Sequence, residues 1–249
     1  MIDLSSLTVV AWVVLVLGAF VIGVSKTAVG GLVLVAVAMF AAVLPARPST
    51  GVALLLLIVG DLFAIRAYTK FADWQVLRRL APYVALGVVA GTLFLHVAGD
   101  TAVRRTIGGI LLVLVVVSIV RKGQKRDAGS LPPPSPVLGA SAGAASGFMS
   151  MVANAGSLIY LYLLRLGLPV MTFLGTAAWY FFVVNLVKVP LSIGLGLING
   201  TTLVLTLVLS PAVAVGAVLG KAIVKRLSLA VFEWVVLVVT LVASVNLVR

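Results

Sequence analysis

The sequence predicts an all-α membrane protein, a polytopic transmembrane helical bundle of two inverted repeats. Of its 249 residues, 63% are hydrophobic and only 10% are charged, a balance that excludes an average soluble domain. Apolar runs fill most of the chain, and the second half repeats the pattern of the first. Because no polar stretch is long enough for a nucleotide-binding domain, any energy for work must come from ion gradients or from a partner.

The charge of the chain is strongly positive, with 18 Lys and Arg against 6 Asp and Glu. The basic residues lie mostly in short loops between apolar segments, so we attribute them to membrane topology and lipid headgroups rather than to nucleic acid. The chain contains no cysteine, which excludes disulfides, thiolate chemistry and Cys-based metal sites. We expect neither a metal nor a cofactor.

The apolar segments are arranged as four, a basic linker, and four. They span residues 7–44, 51–65, 80–97, 107–120, 137–168, 173–197, 203–224 and 229–247. We therefore divide the chain into a first transmembrane repeat (1–121), a cytoplasmic linker (122–136) and a second transmembrane repeat (137–249).

The two halves align at two offsets. A shift of 124 residues pairs Asp61 with Asn185, and a shift of 129 residues aligns 80–91 with 209–220. The second pair of stretches shares a proline and two glycines at identical spacing, which is less easily met by chance than shared leucine and valine. This agreement predicts an internal duplication.

The first segment of each repeat is too long for one helix of about 20 residues and too short for two full crossings. A re-entrant or half-depth helical hairpin, followed by three crossing helices, fits both repeats. With single crossings the Lys and Arg divide 9 against 7 between the two sides, whereas with hairpins they divide 12 against 4. The richer side should be cytoplasmic, with both termini outside. Each repeat then crosses an odd number of times, which inverts the second repeat relative to the first.

The predicted hairpin tips are rich in glycine and small polar residues. The first tip contains Ser25, Lys26, Thr27, Gly30 and Gly31, and the second contains Ser150 and Asn154. Unwound backbone at membrane depth must line protein or a wet cavity. We expect the half-helix that leaves each tip to direct its N-terminal amides into such a cavity, with Ser25, Thr27 or Asn154 as caps.

Three charged residues lie inside apolar segments. Lys26 and Lys188 are the only Lys or Arg residues that cannot be assigned to a loop, and Asp61 is the single buried acid of the first repeat. Their sum is about +1, so the site should prefer an anion to a metal cation. In the alternative reading, Lys26 snorkels to a headgroup and Asp61 forms a structural salt bridge.

Two further patterns have simpler explanations. Ser141, between Gly139 and Gly143, matches the G-x-S-x-G nucleophile elbow, and with His96 it would make an intramembrane hydrolase. The motif lies on a helix-packing ladder of glycines without a strand, so we do not expect an enzyme.

The glycine pairs within 80–91 and 209–220 form small faces that permit close helix approach or a homodimer.

The ordered stretches 23–31 with Asp61, 147–156, 175–176 and 185–190 resemble the sulfite exporter TauE/SafE family of membrane permeases. The resemblance covers about residues 8–248. It implies a duplicated helical bundle that transports sulfur-containing anions, such as sulfite, sulfoacetate or other organosulfonates, across the cytoplasmic membrane, usually outward. It also implies that the substrate pathway lies at the glycine-rich tips and at the 185–188 segment.

Together these observations predict an alternating-access exporter of small anions. Lys26 and Lys188 would supply positive charge, and the tip hydroxyls, amides and Asn185 would bind the anion's oxygens. Asp61 would hold a lysine in place or titrate, which would allow proton coupling. A passive anion channel, or a permease for a different small anion, would use the same charges.

Overall fold

The computed structural model describes residues 7–27, 32–123 and 135–223, which form nine α-helices. The helices are α1 (Val9–Thr27), α2 (Val33–Val43), α3 (Ala46–Tyr68), α4 (Trp74–Val97), α5 (Asp100–Gly123), α6 (Pro136–Ala153), α7 (Leu158–Arg165), α8 (Val170–Gly194) and α9 (Gly200–Ile223). Seven of these are long and apolar enough to cross a membrane, all but α2 and α7. The predicted all-helical bundle is confirmed. Gly30, Gly31, linker residues 124–134 and the segment 229–247 lie outside the described residues.

Each half of the chain contains a long helix followed by a short one that returns along it, α1 with α2 and α6 with α7. In the first hairpin α2 returns along α1, since Gly18 lies against Phe40 and Lys26 lies near Val33. In the second hairpin α7 returns along α6, since Gly139 near the start of α6 lies against Tyr162 of α7. At the turn, the Ser146 hydroxyl donates to the Gly156 carbonyl at 2.7 Å.

The two arms of each hairpin differ in length. The first arms, α1 and α6, have 19 and 18 residues and are long enough to cross, whereas α2 and α7 have 11 and 8. The reason in the second hairpin is that the helix is interrupted late in the segment, at Asn154, whose φ of 51° is left-handed and ends the helix. Only the returning arms are therefore too short to cross.

Local sequence explains where the crossing helices begin. The Asp73 carboxylate caps α4 by accepting from the amides of Gln75 and Val76, and the Ser135 hydroxyl caps α6, which has Pro136 in its first turn. The amide of Asp73 also donates to the Thr176 hydroxyl at 2.8 Å. This hydrogen bond links helix α8 to the turn that precedes α4.

The most extensive helix contacts join the two halves of the chain. Helix α1 packs on α9, and helix α4 packs on α6. A side chain at Gly23 would overlap the Val213 carbonyl oxygen, and one at Gly147 would overlap the Val84 carbonyl oxygen. Gly23 aligns with Gly147 at the first offset, and Val84 aligns with Val213 at the second. Equivalent residues therefore make equivalent contacts, as an internal duplication requires.

The glycine faces of α4 and α9 are buried in these contacts. Gly87 lies against the Ala144 carbonyl oxygen, and Gly216 lies against the Phe20 carbonyl oxygen. The backbones approach so closely that no larger residue fits. These glycines are buried in contacts within one chain, so they cannot form the interface of a homodimer. The homodimer stays a prediction, and these glycines do not support it.

Helices α1, α3 and α9 run in the same direction. Along α1 and α9, Phe20 lies against Gly216 and Val24 lies against Gly220. Gly51, near the start of α3, lies against Leu197, which precedes α9. The later part of α3 reaches the end of α1, where Asp61 pairs with Lys26.

Helices α4, α6 and α8 also share one direction. Gly87 and Gly91 of α4 lie against Ala144 and Phe148 of α6.

On the other side of α6, Tyr180 of α8 bonds to Ser146, and Lys188, further along α8, bonds to Ser150.

The two sets of helices run in opposite directions where they meet at α3 and α8. Gly175, near the start of α8, lies against Tyr68 at the end of α3, and Asn185, further along α8, bonds to Asp61, further back along α3. Helices α1 and α3 of the first repeat thus oppose their equivalents α6 and α8. This is the arrangement that inverted repeats would produce.

Candidate anion-binding site

A buried ion pair lies where α3 meets α1 and α8. The Lys26 ammonium is 2.6 Å from Asp61 Oδ1, and the Asn185 Nδ2 donates to Asp61 Oδ2 at 2.7 Å. The Asp61 side chain is 1% exposed and that of Lys26 is 6% exposed. Because burial removes both charges from water, each needs the other and the amide of Asn185 to be stable there.

The contact between Asp61 and Asn185 joins equivalent positions of the two repeats, 124 residues apart. Asp61 lies fifteen residues after Ala46, where α3 starts, and Asn185 lies fifteen residues after Val170, where the opposing α8 starts. Each is therefore roughly 22 Å from the start of its helix, and the two starts are at opposite ends of the bundle. The pair lies midway between these ends, the depth at which inverted-repeat transporters bind their substrates.

Lys188 is buried beside this ion pair but has different partners. Its ammonium donates to Asn154 Oδ1 at 2.6 Å, to Ser150 Oγ at 3.2 Å and, at a longer 3.4 Å, to Asn185 Oδ1. All three partners are neutral. When protonated, Lys188 therefore has no acid among these hydrogen-bond partners, whereas Lys26 is paired directly with Asp61.

Asn154 connects Lys188 to the opposite repeat. Its Nδ2 donates to the Thr50 carbonyl oxygen near the start of α3 at 2.9 Å, while its Oδ1 accepts from Lys188. Since a lysine ammonium can only donate, the amide must present its oxygen to Lys188. Asparagine also tolerates the left-handed conformation of this position.

The fixed charges of this cluster sum to about +1, from two ammonium groups and one carboxylate. In an interior of low dielectric constant, an uncompensated charge interacts strongly with any ion that can approach it. An anion would complete the charge balance of the cluster, whereas a cation would be repelled.

A cavity adjoins the cluster and is lined by both polar and apolar residues. Its empty volume is about 390 Å³, including the part that opens outward, but its enclosed part has room for only one or two water molecules. The polar residues include Lys26, Ser150, Asn154 and Asn185, the apolar residues include Val33, Leu34, Leu57, Tyr160 and Phe181, and residues 155–157 complete the lining. A small anion with a short organic group matches both kinds of residue, but the enclosed part must widen to admit it.

The N-terminus of α7 faces this cavity, because Gly156 and Ser157 immediately precede the helix and line the wall. The partial positive charge of a helix N-terminus favours an anion there. The predicted caps are wrong. Ser25 and Thr27 belong to the last turn of α1, and Asn154 ends α6, while the residue at the N-cap of α7, Ser157, makes no side-chain cap bond.

The structure brings together six of the predicted residues: Lys26, Asp61, Ser150, Asn154, Asn185 and Lys188. Two others lie elsewhere in the described part of the chain. The Thr27 hydroxyl donates to the Ala217 carbonyl oxygen at 2.8 Å, in the α1–α9 interface. Ser25 is buried in α1 but does not appear in the cavity wall.

Two aromatic residues of the site were missed by the sequence analysis. Phe181 and Tyr160 line the cavity, and the Lys26 ammonium lies 4.9 Å from the centre of the Phe181 ring, a cation–π distance. A signal for Phe181 was present, because it precedes Asn185 by four residues and Lys188 by seven. That spacing places all three on one face of α8.

The geometry argues against a Ser141–His96 hydrolase. Ser141 lies near the start of α6, next to Gly143, which contacts Leu80 early in α4. His96 is sixteen residues beyond Leu80, near the end of α4, so roughly 24 Å separates the two levels. The Ser141 hydroxyl donates instead to the Leu138 carbonyl oxygen of its own helix.

We expect the substitution Asp61→Asn to destabilise the protein by about 3–5 kcal/mol, because it leaves the Lys26 ammonium buried without its carboxylate. The double variant Lys26→Met with Asp61→Asn should recover most of this loss, since it removes both charges. Thermal unfolding of the detergent-purified protein measures both effects. An Asp61→Asn variant as stable as the parent would contradict a structural role for the ion pair.

A bundle of seven helices that are long and apolar enough to cross a membrane, with buried charges beside a cavity, is typical of a membrane permease. The family model of Sulfite exporter TauE/SafE matches residues 15–247, nearly the whole chain, so the protein belongs to this family. The predicted resemblance is confirmed. No curated protein and no solved structure matches the chain.

Proposed function

We propose that this protein exports small sulfur-containing anions, such as sulfite, sulfoacetate or another organosulfonate, across the cytoplasmic membrane by alternating access. The observation that carries the proposal is the net positive charge buried at Lys26, Asp61 and Lys188 beside a cavity at mid-depth. Membership of the TauE/SafE family supports the sulfur-containing anion.

Lys188 does not line the cavity itself but lies behind Ser150, Asn154 and Asn185, which do. We assign it as the principal ligand, reached when these partners move, because none of them is an acid. Ser150 and Asn185 lie around its ammonium and provide hydroxyl and amide groups for sulfonate oxygens. Lys26 contributes mainly through the field of its ion pair with Asp61. The roles of Ser25, Thr27, Gly30 and Gly31 stay predictions.

The opposed directions of the helices in the two halves of the chain support alternating access. We interpret helices α1 to α5 as one repeat and the chain from α6 onward as its inverted copy, with the Asp61–Asn185 contact on the axis between them. In such an arrangement the repeats exchange their conformations, which opens the site to each side in turn. The narrow cavity corresponds to a closed stage of this cycle.

The orientation in the membrane follows from the basic loops. The Arg47 guanidinium donates to the Ala98 carbonyl oxygen, so α5 begins beside the start of α3 and ends at the opposite end of the bundle. The turn between α3 and α4, the ends of α7 and α9, and the start of α6 lie at that same end. This end carries Arg66, Lys70, Arg78, Arg79, Arg121, Lys122, Arg165 and Lys221. By the positive-inside rule we assign this end to the cytoplasm, and the N-terminus to the outside.

A passive anion channel is the second candidate and would use the same charges. The small enclosed part of the cavity favours a transporter, since a channel needs a continuous path for its ion. Proton coupling would use Asp61, the acid of the cluster. Release of Lys26 on protonation of Asp61 would join proton binding to movement of α1.

The proposal is tested by efflux of radiolabelled sulfite, sulfoacetate and taurine from proteoliposomes, at fixed inside pH and varied outside pH. We expect saturable efflux of sulfite or sulfoacetate, and weaker efflux of taurine because its ammonium group cancels the anionic charge. Efflux that follows the proton gradient would assign coupling to Asp61. Absence of flux for all three compounds would remove sulfur-containing anions as the substrate class.

A further inference from the structure

The two buried lysines are held in different ways. Lys26 is paired with a carboxylate, whereas Lys188 is held by the neutral oxygens of Asn154 and Ser150. A carboxylate is a strong competitor for an ammonium group, and a carboxamide oxygen is a weak one. An incoming anion can therefore replace the partners of Lys188 far more easily than the partner of Lys26.

Asn154 is the closest of these exchangeable partners and is the residue at which α6 ends. Its oxygen lies 2.6 Å from the Lys188 ammonium, and its nitrogen donates to the Thr50 carbonyl of the other repeat. Through these two bonds the side chain ties the tip of the second hairpin to both α8 and α3. The residue equivalent to Asn154 in the first repeat is Gly30, which has no side chain to form such a tie.

We propose that the Asn154 carboxamide occupies the place of the anion on Lys188 in the empty transporter, and that the bound anion displaces it and frees the tip of the second hairpin. This inference rests on the proposed function and names Asn154 as the positioning residue that joins substrate binding to movement. We propose this latch for the second hairpin alone, because the equivalent position of the first hairpin is Gly30.

The latch makes anion binding and closure compete for one ammonium group. While the site is empty, Asn154 satisfies Lys188 and holds the hairpin against α8. When an anion binds Lys188, Asn154 loses its strongest bond, and only its bond to Thr50 remains at that side chain. The free energy released by the anion at Lys188 thus favours the state with a mobile tip.

Two substitutions of Asn154 should change anion affinity in opposite directions. Asn154→Asp places a carboxylate of the same shape against Lys188, so sulfoacetate should bind about tenfold more weakly or worse. Asn154→Gly keeps the left-handed backbone and removes the competitor, so sulfoacetate should bind severalfold more tightly. Asn199→Asp is the matched control, because Asn199 caps α9 away from the cavity, and should leave the affinity unchanged.

The experiment combines isothermal titration with sulfoacetate and hydrogen exchange of the peptide that contains residues 150–160. In the parent, sulfoacetate should accelerate hydrogen exchange at the tip. In Asn154→Gly, exchange should already be fast without sulfoacetate. In Asn154→Asp, exchange should stay slow even when sulfoacetate is present. Affinity changes in the same direction for both variants would overturn the latch and leave Asn154 as a helix-ending residue. If the parent protein does not bind sulfoacetate at all, the proposed function is overturned together with the latch.

Discussion

Replacing Lys188 by methionine is expected to abolish saturable transport of sulfur-containing anions, with a loss of about a hundredfold or more. Methionine has nearly the length of lysine and fills the same space, so the packing of α8 is kept. The substitution removes the one buried ammonium whose partners are all neutral, Ser150, Asn154 and Asn185. Without it the fixed charges of Lys26 and Asp61 cancel, and nothing offsets the cost of desolvating an anion.

Initial rates of sulfoacetate efflux from proteoliposomes measure this loss, at equal amounts of inserted protein. The matched control is Lys70→Met, which makes the same change at an exposed lysine in the turn before α4 and should transport like the parent. Lys26→Met should have a smaller effect than Lys188→Met, because Lys26 is already neutralised by Asp61. A folded Lys188→Met protein with parental transport would show that the charge is structural.

Replacing Gly23 by alanine is expected to destabilise the protein by about 3 kcal/mol or more, among the largest stability effects of any single methyl group in the bundle. The added carbon would overlap the Val213 carbonyl oxygen and crowd the Ala217 amide, both of which belong to the backbone of α9. Backbone cannot rotate away as a side chain can, so α1 and α9 must separate. Gly147→Ala should behave alike, because Gly147 meets the Val84 carbonyl oxygen in the equivalent contact.

Thermal unfolding in detergent measures this effect as the temperature at which half of the protein loses its monodisperse state. The control is Gly109→Ala in α5, where an added carbon meets nothing within 4 Å and alanine favours the helix. Gly109→Ala should match or exceed the stability of the parent. Equal stability of Gly23→Ala and the parent would contradict the close packing of α1 on α9.

The helical bundle and its hairpins were predictable from the sequence because they depend on quantities that the sequence contains. Segment length, hydropathy and the position of glycines decide how many helices form and which segments must turn back. The residue at which the second hairpin turns was not predicted. The position of this turn depends on where one residue, Asn154, adopts a left-handed conformation, and the sequence does not show which of several polar residues at the tip will do so.

The charged residues of the site were found, but their pairing was not. The high free energy of a charge inside an apolar segment identifies Lys26, Asp61 and Lys188, because such residues are rarely kept without a function. Which lysine takes the carboxylate depends on the packing of α1 and α8 around α3, a three-dimensional property. Either pairing was compatible with the sequence.

The glycines illustrate the same limit. Their spacing at 87 and 91, and at 216 and 220, correctly indicated close helix approach. It could not show whether the partner helix belongs to the same chain or to a second copy, and the structure places that partner in the other repeat.

The most direct test of anion transport by alternating access is counterflow in proteoliposomes loaded with unlabelled sulfoacetate and placed in a trace of labelled sulfoacetate without any ion gradient. An alternating-access exporter should accumulate label transiently above equilibrium, because each outward step with unlabelled substrate returns the site to the outside. Lys188→Met should not accumulate label. Label that only equilibrates in the parent, without an overshoot and without saturation, would contradict a transporter and would indicate a passive channel.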